Sequence, residues 1–115
     1  MNGLELSKNI AKYLDAKKAE GIKIIKIEDL TVVTDYIVIA TGNSTTQVKA
    51  LADEVDFKVK EDFKLDPSRV EGYESKNWIL LDYDNVIVHV FHPQARDYYN
   101  LDKLWADGQE IETGL

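Results

Sequence analysis

Residues 78–91 have the sequence WILLDYDNVIVHVF, in which two apolar runs flank the polar pair Asp84-Asn85. Asp and Asn both tolerate the left-handed backbone that a two-residue type I′ turn requires. The stretch therefore predicts a β-hairpin with Asp84-Asn85 as its turn. In the register that this turn imposes, Trp78 lies opposite Phe91 and Leu80 lies opposite His89.

Side chains alternate between the two faces of such a hairpin. One face is almost wholly apolar and is expected to pack on core helices; it carries Ile79, Leu81, Tyr83, Val86, Val88 and Val90. The other face mixes aromatic, aliphatic and charged side chains: Trp78, Leu80, Asp82, Ile87, His89 and Phe91. This mixture is typical of a protein-binding surface, where tryptophan is frequently the residue that contributes most to binding. A second interpretation stays open, in which a helix of the same chain covers this face and Trp78 is a core residue.

The rest of the chain supplies further helix and strand patterns on both sides of the hairpin. They predict a helix over residues 2–20, strands over 22–27 and 36–41, a helix from Ser44 to a break at Asp66-Pro67, a short strand over 69–75, and a last helix from Pro93. The order α-β-β-α-β-β-β-α predicts one α/β (α+β) domain over residues 1–115, with a mixed sheet and packed helices. Residues 107–115 are expected to form a frayed tail.

The charge is unevenly distributed along the 115 residues. The net charge is -7, residues 1–30 are nearly neutral, and residues 31–115 carry eight basic against sixteen acidic side chains. Such an acidic chain disfavours extended binding to nucleic acid and attracts a basic protein. The chain has no cysteine, which excludes a disulfide framework and a thiolate metal site. It also shows no signal-peptide pattern and no membrane-length apolar run, so we expect a cytoplasmic protein.

No set of residues predicts catalysis strongly. His89 and His92 are the only histidines, and their spacing of three does not place them on one strand face, so we expect no metal site. Asp82 and Asp84 share a face and suggest an alternative, a magnesium-dependent enzyme resembling nucleotidyltransferases. Turn formation explains Asp84 more simply, because aspartate is favoured in turns. We therefore expect no catalytic residues and no cofactor.

Several motifs together resemble the Iojap family, whose bacterial members are the ribosomal silencing factors. They are residues 35–44, 47–50, 78–83, 86–91, 99–101 and 104–107, and with their spacing they cover nearly the whole chain. The family's hairpin turn usually has glycine then aspartate, whereas this chain has Asp84 and Asn85. The resemblance implies a nucleotidyltransferase-like shape without the activity.

The resemblance also implies a function and a set of partner-binding residues. Family members bind the large ribosomal subunit through its fourteenth protein and block joining of the small subunit when nutrients are scarce. Carried over by position, the expected docking residues are Trp78 and Asp82, with His89 and Phe91 on the adjoining strand. Leu80, on the same strand face, is expected to complete this patch. Tyr98, Tyr99, Leu101 and Trp105 are secondary candidates, which can instead pack the last helix onto the sheet. Little direct nucleic-acid binding and no membrane association are expected. A homodimer formed through a sheet face or an exposed strand edge is a further hypothesis.

Overall fold

The computed structural model describes residues 2–115, which form a mixed α/β domain around one six-stranded sheet. The elements in chain order are α1 (Gly3–Ala16), β1 (Glu20–Lys26), β2 (Tyr36–Thr41), α2 (Thr45–Phe63), β3 (Arg69–Glu71), β4 (Trp78–Asp82), β5 (Val86–Phe91), α3 (Pro93–Tyr99), α4 (Leu101–Leu104) and β6 (Gln109–Ile111). The strand order across the sheet is β3-β4-β5-β2-β1-β6. Only the β2–β5 pair is parallel among the strand pairs of residues 2–115. The α/β fold class predicted from the sequence is confirmed.

The hairpin of β4 and β5 has the predicted register. Trp78 pairs with Phe91, Leu80 with His89, and Asp82 with Ile87. The turn type differs from the prediction. Asp84 has a positive φ of 71°, but Asn85, the other central residue, does not have a positive φ. A type I′ turn needs positive φ at both positions. Asp82 stabilises the turn, since its Oδ1 accepts a hydrogen bond of 2.8 Å from the Asp84 N–H.

Helices cover both faces of the sheet but to different extents. The larger core lies between the sheet and the pair α1 and α2, and it includes the six apolar hairpin residues predicted to face helices. The smaller core lies on the opposite face; its buried members are Ile25, Ile27, Ile37, Ile39, Ile87, Phe91 and Leu101. Because the short helices α3 and α4 are the elements on that face, part of β4 stays accessible there.

The first helix is shorter than predicted. It ends at Ala16, and Lys18 takes a left-handed conformation with φ 65°. The backbone then enters β1 at Glu20, so the last residues assigned to the helix form a turn and the start of the strand. Asn2 caps the start of this helix, because its Oδ1 accepts a hydrogen bond of 2.8 Å from the Leu4 N–H.

The C-terminal segment corrects two further expectations. The chain was expected to end after one helix, but Asn100 takes a left-handed conformation (φ 48°) that separates α3 from α4. The expectation of a frayed tail over residues 107–115 is wrong for Gln109–Ile111, which pair with β1 as an edge strand. The third strand is also shorter than predicted and covers Arg69–Glu71.

Among residues 2–115, no helix is both long and apolar enough to cross a membrane.

Candidate functional site

Trp78 lies at the centre of an aromatic cluster on the outer face of β4. Its ring stacks on Phe91 with centroids 5.0 Å apart and contacts Tyr99 at 4.6 Å. The indole Nε1–H donates a hydrogen bond of 3.0 Å to Nδ1 of His89 on the neighbouring strand. Trp78 itself is only partly buried. The indole is therefore held in one orientation while part of its ring remains accessible.

His89 supports the indole and is itself inaccessible. Its side chain is 7% exposed, and burial lowers the pKa of its imidazole to about 4. The ring is thus neutral near pH 7, and Nδ1 must carry no proton because it accepts the Trp78 hydrogen bond. Among the expected docking residues, His89 lies where it orients Trp78 and not where a partner would touch it.

Phe91 and Leu101 also lie beneath the surface. Phe91 is fully buried, and Leu101 packs in the same small core. Trp78, Leu80 and Trp105 pack against this core and remain partly exposed. The sequence left open whether this face is accessible to a partner or covered by a helix of the same chain, and each description applies to part of it. The last helices cover Phe91, with Leu101 of α4 packing in the same core, and they leave Trp78 and Leu80 partly accessible.

A shallow groove runs beside the accessible part of Trp78. It has a volume of about 170 Å³ and is lined by Glu71, Gly72, Trp78 and Leu80. Gly72 has φ +93°, and a Cβ at this position would lie 1.9 Å from the carbonyl oxygen of Trp78. Glycine is therefore required for β3 to approach β4 at the end of the groove.

Asp82 lies at the other end of the same strand face, where its side chain is 18% exposed. Its Oδ2 lies 3.8 Å from Nη2 of Arg69, whose Nε bonds Oε2 of Glu71 at 3.0 Å. A basic side chain of a partner would therefore have to share the Asp82 carboxylate with Arg69 or displace Arg69 from it. The groove and this charged row together form what we call the Trp78 surface: Arg69, Glu71, Gly72, Trp78, Leu80 and Asp82.

The carboxylates of the magnesium hypothesis have structural partners. Asp82 accepts the Asp84 N–H, and Asp84 Oδ1 accepts a hydrogen bond of 3.1 Å from the Ser68 hydroxyl. Within residues 2–115, no group of three or more His, Asp or Glu side chains is arranged to hold a metal ion. Both carboxylates accept hydrogen bonds from neighbouring groups of the chain.

The aromatic residues that follow the hairpin differ in exposure. Tyr98 is 82% exposed and meets Tyr99 edge-on, with ring centroids 5.1 Å apart. Tyr99 also contacts Trp78, which extends the accessible aromatic area from β4 onto α3. Tyr98 and Tyr99 are thus near the Trp78 surface, whereas Trp105 lies at the end of α4 against the small core.

Arg96 fixes the last helices to the sheet, although no sequence pattern singles out this residue. Its guanidinium makes two parallel hydrogen bonds to Asp102, of 3.2 and 2.9 Å, and Nη1 also donates to Gly21 O and Thr41 Oγ1 at 2.6 and 2.8 Å. Arg96 holds the pKa of Asp102 below its ordinary value, and Lys23 adds to this effect at 3.2 Å. A spacing of six residues matches no helical periodicity. The left-handed residue Asn100 lies between the two partners and separates α3 from α4.

Comparison with known proteins identifies the family. Residues 2–115 match the family described as "Ribosomal silencing factor during starvation". The chain belongs to this family. It is 40% identical to the ribosomal silencing factor RsfS of Bacillus subtilis, over 100% of this chain and 98% of that protein. It is also 30% identical to the chloroplastic protein Iojap of Zea mays, over 95% of this chain and 47% of that protein.

The fold of the family agrees with that of the chain. A crystal structure of a protein from Chromobacterium violaceum superposes with a TM-score of 0.88 at 39% identity, covering 97% of this chain and 92% of the other. The resemblance seen in the sequence is therefore confirmed. Membership of a ribosomal silencing factor family also gives the chain a role in translation regulation at the ribosome.

Proposed function

We propose that this ribosomal silencing factor is a cytoplasmic, non-enzymatic translation repressor that binds the large ribosomal subunit through its fourteenth protein. The bound factor occupies a surface that the small subunit needs, and thereby prevents subunit joining under nutrient limitation. Family membership supports the ribosomal role. The partner protein and the steric mechanism are our proposal.

The observation that carries the proposal is the partly exposed, rigidly held indole of Trp78. Phe91, Tyr99 and His89 hold the ring through stacking and one hydrogen bond. A side chain fixed before binding loses little conformational entropy when a partner covers it. Buried tryptophans at interface centres often contribute about 2 kcal/mol or more. We therefore assign Trp78 as the principal contact, with Leu80 beside it.

Charge favours a basic protein over RNA as the direct contact. Glu71 and Asp82 flank the groove, and the whole chain has a net charge of -7. Carboxylates repel the phosphates of ribosomal RNA, whereas basic side chains of a ribosomal protein can pair with them. Repression by occupying a surface needs no reaction chemistry, so the hydrogen-bonded aspartates of the turn fit this function without a catalytic role.

Binding to purified large subunits tests the proposal. We expect wild-type protein to co-sediment with large subunits and Trp78→Ala to bind about thirtyfold more weakly, which corresponds to about 2 kcal/mol. Phe57→Ala is the matched control, because Phe57 is 59% exposed on α2, which packs on the opposite sheet face. Equal binding by Trp78→Ala and wild type, with both proteins folded, would show that the assigned contact is wrong.

A second measurement tests the steric mechanism. Large subunits saturated with the factor should fail to form complete ribosomes when small subunits are added, as seen by sucrose-gradient sedimentation. Large subunits incubated with Trp78→Ala at the same concentration should still join. Formation of complete ribosomes with the factor still bound would contradict the mechanism. Sedimentation of the free protein would also test the homodimer hypothesis.

A further inference from the structure

The segment between β1 and β2 exposes an apolar cluster that the Trp78 surface does not include. Val32 is fully exposed, Val33 is 67% exposed, and Leu30 is also exposed. Connecting segments usually carry polar turn residues, and β-branched residues such as valine are typical of strands. Single exposed apolar residues are common, but three within four positions form a patch of the kind found at interaction sites.

Hydrogen bonds within the segment and between its two ends hold it in an ordered turn. The Ile27 N–H donates to the carbonyl oxygen of Asp35 at 2.8 Å, and the Leu30 N–H donates to Ile27 O at 2.8 Å. The Val33 N–H donates to the Thr31 hydroxyl at 3.2 Å. The two valines are therefore presented by an ordered turn, so that covering them costs less entropy than ordering a free loop.

The segment lies at the same end of the sheet as Asp82. The parallel register of β2 and β5 places Tyr36 beside Val86, and the Tyr36 N–H donates to Asn85 O at 3.1 Å. Asp82 and the start of β2 are two strands apart, and strands are spaced by about 4.8 Å, so the C-terminal end of the segment lies about 10 Å from Asp82. A standard interface buries about 800 Å² on each partner, a patch about 30 Å across. One partner can therefore reach both places.

Acidic side chains surround the apolar cluster. Glu28 and Asp29 precede it, Asp35 follows it, and Asp84 lies in the neighbouring hairpin turn. The nearby Lys26 is already paired with Glu28 at 2.9 Å. This charge opposes contact with RNA phosphates and with anionic lipid surfaces, and it favours a protein whose surface combines basic and apolar side chains.

We propose that residues 28–35 form a second contact with the basic ribosomal protein that the Trp78 surface binds. Val32 and Val33 pack on an apolar area of that protein, and the surrounding carboxylates pair with its basic side chains. This inference rests on the proposed function and extends it, since it assigns a further segment of the chain to the same partner.

The double variant Val32→Ser/Val33→Ser tests the inference by titration against purified large subunits. We expect its dissociation constant to rise at least about tenfold relative to wild type, because the variant loses most of the apolar area that residues 28–35 would contribute to binding. Both side chains are exposed, so thermal unfolding should be unchanged. Phe57→Ser is the matched control, an exposed apolar residue on α2, and should bind like wild type.

The outcomes separate this inference from the proposed function. If wild type binds and the double variant binds equally well, residues 28–35 are not a contact and only this inference fails. If wild type does not bind large subunits, the proposed function fails as well. If the double substitution leaves subunit binding unchanged but abolishes self-association or binding to phosphatidylserine vesicles, the valines serve a different partner and the inference is overturned.

Discussion

The hydrogen bond between Trp78 and His89 predicts a specific loss of stability in acid. His89 is buried with a pKa of about 4, against an ordinary value of 6.5 for histidine. Between these two pH values the unfolded chain binds a proton at this position and the folded chain does not. Stability from this group is therefore complete above pH 6.5 and is lost as the pH falls towards 4.

The magnitude follows from the size of the shift. One pKa unit corresponds to 1.36 kcal/mol, so the difference between 6.5 and about 4 amounts to about 3 kcal/mol. Unfolding free energies of domains of this size are typically about 5–15 kcal/mol. Protonation of His89 would therefore remove a substantial part of the stability, and it would also convert Nδ1 from the acceptor of the Trp78 hydrogen bond into a donor.

Urea unfolding at several pH values between 7 and 4.5, followed by tryptophan fluorescence, measures this effect. His89→Gln is the matched variant, because glutamine does not titrate and its amide oxygen can still accept the indole N–H. We expect the wild type to lose more unfolding free energy than the variant over this range, by about 2 kcal/mol, because the last part of the titration lies below pH 4.5. Parallel pH profiles for the two proteins would refute the reasoning. They would show that the imidazole has no lowered pKa in the folded state.

Two further substitutions test contacts elsewhere in the fold. Arg96→Met should lower the unfolding free energy by about 2 kcal/mol, because Asp102, Gly21 O and Thr41 Oγ1 lose a shared charged donor. Denaturant unfolding measures this loss, and a change below about 0.5 kcal/mol, the size usual for surface substitutions, would show that the contact is not structural. Lys64→Gly should raise stability by about 1 kcal/mol, since Lys64 ends α2 with a φ of 60° that glycine adopts without steric cost. Its thermal midpoint should increase, and a decrease would contradict the strain argument.

The sequence could predict the β4–β5 hairpin because local rules determine it. Alternation assigns the two faces, and a two-residue turn at Asp84 fixes the register, so the pairing of Trp78 with Phe91 followed from the sequence. The same rules could not predict β6. Residues 109–111 are Gln, Glu and Ile, with one apolar side chain among them, and they become a strand only because β1 offers a free edge.

The location of the candidate site could be predicted from the sequence, but the solvent exposure of its individual residues could not. Alternation places His89 and Trp78 on one face without indicating which of them a later helix covers. That depends on the path of the chain after Pro93, and this path depends on the left-handed turn at Asn100 and the Arg96–Asp102 pair. These contacts join residues without a recognisable spacing, so a single sequence carries no pattern for them.

The partial cover over this sheet face explains how one face can be both core and docking surface. Packing of α3 and α4 buries Phe91, and Phe91 with His89 then fixes the ring of Trp78 from below. Complete cover would leave no accessible indole, and no cover would leave Trp78 free to change rotamer and raise the entropic cost of binding. The Arg96 contacts act on this balance from a distance, because they hold the covering helices in place without touching the indole. Loosening them should therefore weaken partner binding as well as stability, although Arg96 lies outside the proposed docking surface.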